Sequence, residues 1–109
     1  MKLYLMIALC FLTLSANAQA SRFQQYINQP YALVRAGLMS EGWQTMTNSS
    51  VQESSLYAQD VYAQGYVEVL NCISMERDQC QFVFSKNKQR IVVTTKEKAF
   101  NVESIAVAD

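Results

Sequence analysis

Apolar residues run almost unbroken from Leu3 to Leu14, preceded by a single positive charge at Lys2 and followed by small residues at Ala16, Ala18 and Ala20. That order predicts an export signal over residues 1–20, cleaved after Ala18 or Ala20. The run of about twelve apolar residues is shorter than the roughly twenty that a membrane-spanning helix needs. No stable membrane anchor is therefore expected once the signal is cut. Ile7-Ala8-Leu9-Cys10 has the outline of a lipidation box, but Leu9 stands where a small residue belongs and the apolar run continues past Cys10. Export without lipidation is the expectation, to the periplasm or the exterior.

The pattern changes after residue 20. Ser21 to Gln29 is polar with scattered Phe23, Tyr26 and Ile27, a lead-in or a helical turn. From Pro30 the apolar positions Tyr31, Val34 and Leu38 recur at helical spacing, with Gly42 placed to stop the helix, which predicts a helix from Pro30 to Glu41. Gly37 inside it costs helix stability and implies close approach of a neighbouring element. Trp43 to Thr47 alternates as a strand does, and Asn48 to Ser55 is a Ser- and Asn-rich loop. Leu56 to Gln64 reads as a short helix capped by Ser54 or Ser55 and stopped by Gly65, with irregular loop as the alternative. Strands follow at Tyr66–Cys72, Cys80–Phe84 and Gln89–Thr95, with a turn at Ser85–Lys88 and a further pairing segment at Asn101–Val107.

One helix followed by short, tightly connected strands implies an α+β fold, an N-terminal helix packed on a three- to four-stranded antiparallel sheet. Residues 21–109 make a single small domain, because 89 residues leave no room for a second core. Three cysteines fall to two when Cys10 leaves with the signal, and Cys72 and Cys80 then have only each other. In an oxidising compartment one disulfide is expected, closing the loop Ile73–Gln79, in which Glu76, Arg77 and Asp78 present charge to water. The seven intervening residues are unlike the C-x-x-C of dithiol redox enzymes, and a zinc site lacks two ligands.

The stretch Ala32 to Met46, with Arg35, Leu38 and Gly42-Trp43, taken together with Cys72, Cys80-x-Phe82 and the strand Ile91 to Thr95, resembles small secreted bacterial proteins of unassigned function. Those proteins carry an Arg-bearing helix ending in Gly-Trp and a spaced cysteine pair with an aromatic two residues after the second. The resemblance implies the same fold and the same disulfide. Gln44-Thr45 stands where a proline commonly follows the Gly-Trp.

Composition narrows the chemistry. Half the residues are apolar and 17% are charged, which is globular rather than disordered. Without Lys2 there are eight basic against nine acidic residues, too balanced to attract a nucleic acid. No histidine is present, which removes the commonest general base and metal ligand. No G-x-S-x-G occurs, and the three glycines are too scattered for a phosphate loop. Neither catalysis nor a metal or cofactor is expected.

The candidate binding surface is Trp43 with Tyr57, Tyr62 and Tyr66, against the alternative that Trp43 is a core residue pinning helix to sheet and the tyrosines are ordinary packing. Lys86, Lys88, Arg90, Lys96 and Lys98 concentrate positive charge late in the chain, and their expected role is solubility and protection of a sheet edge around Ile91–Val93. Glu68, lying in an apolar strand with no recognisable partner, is expected to point outward into water. Asn48-Ser49-Ser50 is a formal glycosylation sequon. The functional expectation is a non-enzymatic interaction protein that binds an envelope or secreted protein, with a small-ligand or cell-wall-binding module as the alternative.

Overall fold

The computed structural model describes residues 22–74, 78–97 and 99–108. The expected export signal, Cys10, Glu76, Arg77 and Lys98 lie outside them. The elements are helix α1 (Tyr31–Ser40), strand β1 (Gln44–Thr45), helix α2 (Leu56–Ala63), and strands β2 (Val69–Ser74), β3 (Asp78–Lys86), β4 (Gln89–Lys96) and β5 (Asn101–Ala108). Short 3-10 turns at Gln24–Tyr26 and Val51–Glu53 precede the two helices. The expected α+β class stands, with two helices on a five-stranded antiparallel sheet.

α1 begins as its sequence dictates. Pro30 is the N-cap rather than the first helical residue, and its carbonyl accepts from the N–H groups of Leu33 and Val34. The helix buries Tyr31, Val34 and Leu38, the stripe read from the i, i+3, i+7 spacing. It ends in a Schellman motif: the Trp43 N–H donates to the Leu38 carbonyl and the Gly42 N–H to that of Met39. Gly42 has φ +99°, a conformation that a side chain at this position would strain. Gly37 is the close approach it was expected to be. A Cβ there would stand 2.8 Å from the Tyr26 hydroxyl oxygen and 2.9 Å from its ring.

α2 is capped by Ser55, whose side chain accepts from the Ala58 N–H and donates to the Cys72 carbonyl at 2.7 Å. One hydroxyl thus fixes both the start of the helix and its position against β2. Ala58 and Val61 form its buried face.

The sheet runs β1-β3-β4-β5, with β2 also paired to β3. β1 and β2 share one side of β3: β2 pairs along Asp78 to Phe82, and β1 pairs at Phe84 and Ser85. Two expected boundaries move. The strand expected from Tyr66 starts only at Val69, because residues 66–68 turn and the Val69 N–H closes back on the Tyr66 carbonyl. The segment expected as a disulfide-closed loop is mostly ladder: Ser74 pairs with Asp78 and Ile73 with Gln79. Cys72 and Cys80 are bonded directly across the two strands, with Cα atoms 4.0 Å apart.

Alternation along each strand sorts the residues by face. Cys80, Phe82, Phe84, Ile91, Val93, Thr95 and Val102 point to the helices and are buried. The opposite face carries Gln79, Gln81, Val83, Val92 and Thr94, all at least partly accessible. β4 lies inside the sheet, between β3 and β5, so the basic residues around Ile91–Val93 guard no edge there. Among the described residues no helix is long and apolar enough to cross a membrane.

Candidate functional site

The four aromatic candidates do not converge. Trp43 is 3% exposed, placed by the Schellman turn beneath the end of α1. Phe23 meets it edge-on at 6.0 Å, and the Arg22 guanidinium and Lys86 ammonium stand 5.8 and 5.9 Å from its ring centre. Lys86 is held there by a 2.6 Å hydrogen bond to the Glu41 carbonyl, so one of the late positive charges serves the helix end. Tyr57 packs toward Phe100, Tyr66 against Tyr31 and Phe82, and Tyr62 against the core from α2. All three tyrosines are partly buried.

A different constellation occupies the middle of the molecule. Glu68 is fully buried, which corrects the expectation that it points into water. Its Oε2 accepts from the Tyr31 hydroxyl at 2.6 Å and from Arg35 Nε at 2.7 Å, while Oε1 accepts from Arg35 Nη2 at 3.2 Å. The forked guanidinium matches the carboxylate on both oxygens, the geometry that makes burial of a charge tolerable. Arg35 also lies over the Tyr66 ring at 5.5 Å, and Tyr31 stacks on Phe82 at 3.8 Å. Burial, with the Glu68 charge beside it, drives the Tyr31 hydroxyl far above the ordinary phenol range. The hydrogen bond to Glu68 likewise raises Arg35 and keeps it charged.

The sequence held a signal for this pair. Arg35 falls beside Tyr31 and Leu38 on the helical stripe that faces the sheet, so its charge needed an acid there. Glu68, flanked by Val67 and Val69, is the acid of the adjoining apolar segment. What the cluster does chemically is structural: every buried side-chain N and O atom among the described residues has a partner. Also among the described residues, no group of three or more His, Cys, Asp or Glu is placed to hold a metal.

A second phenol is linked to helix α1. The Tyr26 hydroxyl donates to the Glu41 carboxylate. Burial first, and then that hydrogen bond, push Tyr26 up to about 12. Unfolded tyrosine loses its proton near pH 10, so between about 10 and 12 the folded state binds more protons than the unfolded state. Stability is then full below pH 10 and falls as pH rises through that window. Urea midpoints measured from pH 8 to 12 should decline above 10, and Tyr26→Phe should lessen the decline, with Tyr31 and Tyr57, also raised, keeping their share. A curve equally steep in that variant would remove Tyr26 as its source.

The concave surface lies elsewhere. A groove of about 650 Å³, open to solvent, runs between the Glu53–Ser55 turn and the outer side of β2, floored by Leu70, Asn71 and Ile73. Leu70 and Ile73 are 44% and 47% exposed, and Leu56, next in the chain after Ser55, is 78% exposed. Two large apolar side chains exposed on the floor of one groove need a reason. Side-chain hydrogen bonds hold the walls. Asn48 Nδ2 donates to the Val69 and Leu70 carbonyls, and Ser54 Oγ donates to that of Leu70. The sequon asparagine thus spends its amide on the backbone of β2. A smaller cavity of about 180 Å³ opens nearby, bordered by Met46, Asn48, Glu68 and Arg90.

Comparison of the chain with protein-family models, with curated proteins and with solved structures finds no match.

Proposed function

We propose that this is a non-enzymatic binding protein of the periplasm or cell exterior that docks an envelope or secreted protein in the groove beside β2. The observation that carries the reading is Leu70 and Ile73, exposed on the floor of one open groove. An open trough with apolar anchors suits a protein segment, whereas a small molecule is normally enclosed over most of its surface. The walls are prepared for the task. Ser54, Ser55 and Asn48 tie the turn to β2, so little order has to be gained on binding. The disulfide between β2 and β3 holds the floor in the same way.

The residues with strong chemistry support binding rather than turnover. Arg35, Glu68 and Tyr31 satisfy one another inside the fold, and Trp43 is packed between Phe23, Arg22 and Lys86. Within this reading the protein acts as an inhibitor or immunity factor for an envelope enzyme. The predicted export signal, the disulfide and the resemblance to small secreted bacterial proteins support the location.

Capture from an envelope extract tests it. The protein should retain a partner enzyme and lower its turnover when added in equal amount. Leu70→Asp and Ile73→Asp, each at an exposed position, should leave the melting temperature near its original value and weaken binding by about tenfold or more. Retention unchanged by both substitutions would remove the groove as the docking surface. A muropeptide that raises the melting temperature while no protein is retained would favour the ligand-binding alternative.

A further inference from the structure

The two rims of the sheet are finished differently. Along β2 the outward carbonyls of Val69, Leu70 and Cys72 are each taken by a side chain of Asn48, Ser54 or Ser55. At β5 the lead-in closes only the start. Asn28 N–H donates to the Val102 carbonyl at 2.7 Å, Val102 N–H to that of Gln29 at 2.9 Å, and Tyr31 N–H to that of Phe100 at 2.9 Å. Past Val102, β5 is the last strand in the sheet order.

Register shows which backbone groups face out. Opposed residues in an antiparallel pair alternate between hydrogen-bonded and non-hydrogen-bonded rows. Thr95 stands opposite Val102, whose N–H and C=O both turn away from β4 to the lead-in. Val93 and Ile91 follow on β4 at steps of two, so they share that row. Their partners Ile105 and Val107 therefore also direct N–H and C=O outward.

We propose that this rim pairs with the same rim of a second copy of the chain, two β5 strands running antiparallel about a two-fold axis through Ala106. The pairing is self-complementary, as a two-fold interface must be. Ile105 meets the second copy's Val107 in a hydrogen-bonded pair, and symmetry supplies the reverse pair. Ala106 meets its own counterpart in a non-hydrogen-bonded pair, where Cα atoms approach to about 4.5 Å. A lone methyl group suits so close a contact. Ser104 then faces the second copy's Ala108, an uncharged pair. The lysines and prolines that commonly blunt an exposed edge are missing from this stretch. Val107, 49% exposed in the single chain, gains an apolar neighbour on the helix-bearing side of the joined sheet.

A cysteine on the axis tests the register. Oxidised Ala106→Cys should form a disulfide-linked dimer, because a Cα separation of about 4.5 Å lies within bonding range. Ser104→Cys, also exposed but facing Ala108, should not link to itself. Sedimentation should give the dimer mass for the original protein. Val107→Pro removes an outward N–H while leaving the β4 ladder intact, and should weaken the dimer by about tenfold or more with no loss of fold by circular dichroism. A monomer at high micromolar concentration, an unlinked Ala106→Cys, or a Ser104→Cys that links equally fast would each overturn the proposal.

Discussion

Replacing Arg35 by methionine is expected to destabilise the fold by about 3–5 kcal/mol, the cost of leaving a buried charge without its partner. Methionine keeps the aliphatic stem of the arginine but not the guanidinium that lies over Tyr66. What disappears is the guanidinium, and with it both hydrogen bonds from Arg35 to Glu68. Glu68 is then left at 0% exposure with the Tyr31 hydroxyl as its remaining donor among the contacts described. The two partners are not equivalent. Arg35 is 28% exposed and can reach water when Glu68 is changed to glutamine, so that variant should lose less. The double variant Arg35→Met with Glu68→Gln should recover much of the loss, since no charge then remains in the interior and the Tyr31 hydroxyl keeps an acceptor. Urea unfolding of the four proteins closes the cycle. A cost under about 1 kcal/mol for Arg35→Met would mean that the pair behaves as a surface ion pair.

Removing the disulfide should cost about 2.5 kcal/mol, from the unfolded-state freedom that a cross-link spanning about nine residues suppresses. For a domain of this size that corresponds to a fall of roughly 10–20 °C in melting temperature. Cys72→Ala with Cys80→Ala is the variant to measure, against the oxidised parent. The native ladder between β2 and β3 should survive it, because Ile73, Asn71 and Ser74 keep their backbone partners. Reductant should act slowly on the folded protein and quickly in denaturant, the sulfur atoms belonging to residues 1% and 0% exposed. An unchanged melting temperature would remove the cross-link from any part in stability.

Much of the architecture was legible in single residues. The stripe of Tyr31, Val34 and Leu38, the stop at Gly42 and the crowding at Gly37 each announced a contact that the fold makes. The pairing of Cys72 with Cys80 followed from having no competitor. The strand limits were harder to read, because they depend on partners distant in sequence: Trp43 to Thr47 looks like a strand locally, yet only Gln44 and Thr45 find Ser85 and Phe84 opposite them. The groove was illegible for a related reason. Leu70 sits in what reads as an ordinary apolar strand, and Ile73 opens what reads as a loop. A register shift between Val69 and Asn71, with Asn48 and Ser54 bonded to the outer carbonyls, accompanies the exposure of Leu70, and Ile73 joins the ladder opposite Gln79 on the face away from Cys72. Glu68 looked like a residue without a partner because Arg35, its counter-charge, lies on another element.

Asn28 and Gln29 are among the first described residues of the chain, and Val102 is among the last; they clasp each other. Synthesis proceeds from the amino end, so Phe23 and Tyr26 can settle on Trp43 and Glu41 early, while the backbone clasp waits until β5 has emerged. The sheet stays open along β4 for that whole interval, and the fold cannot close before Val102 exists. A chain delivered across a membrane as it lengthens would therefore remain threadable until β5 is delivered, and any shortening that removes Val102 would leave the opening turn held to α1 by side chains alone.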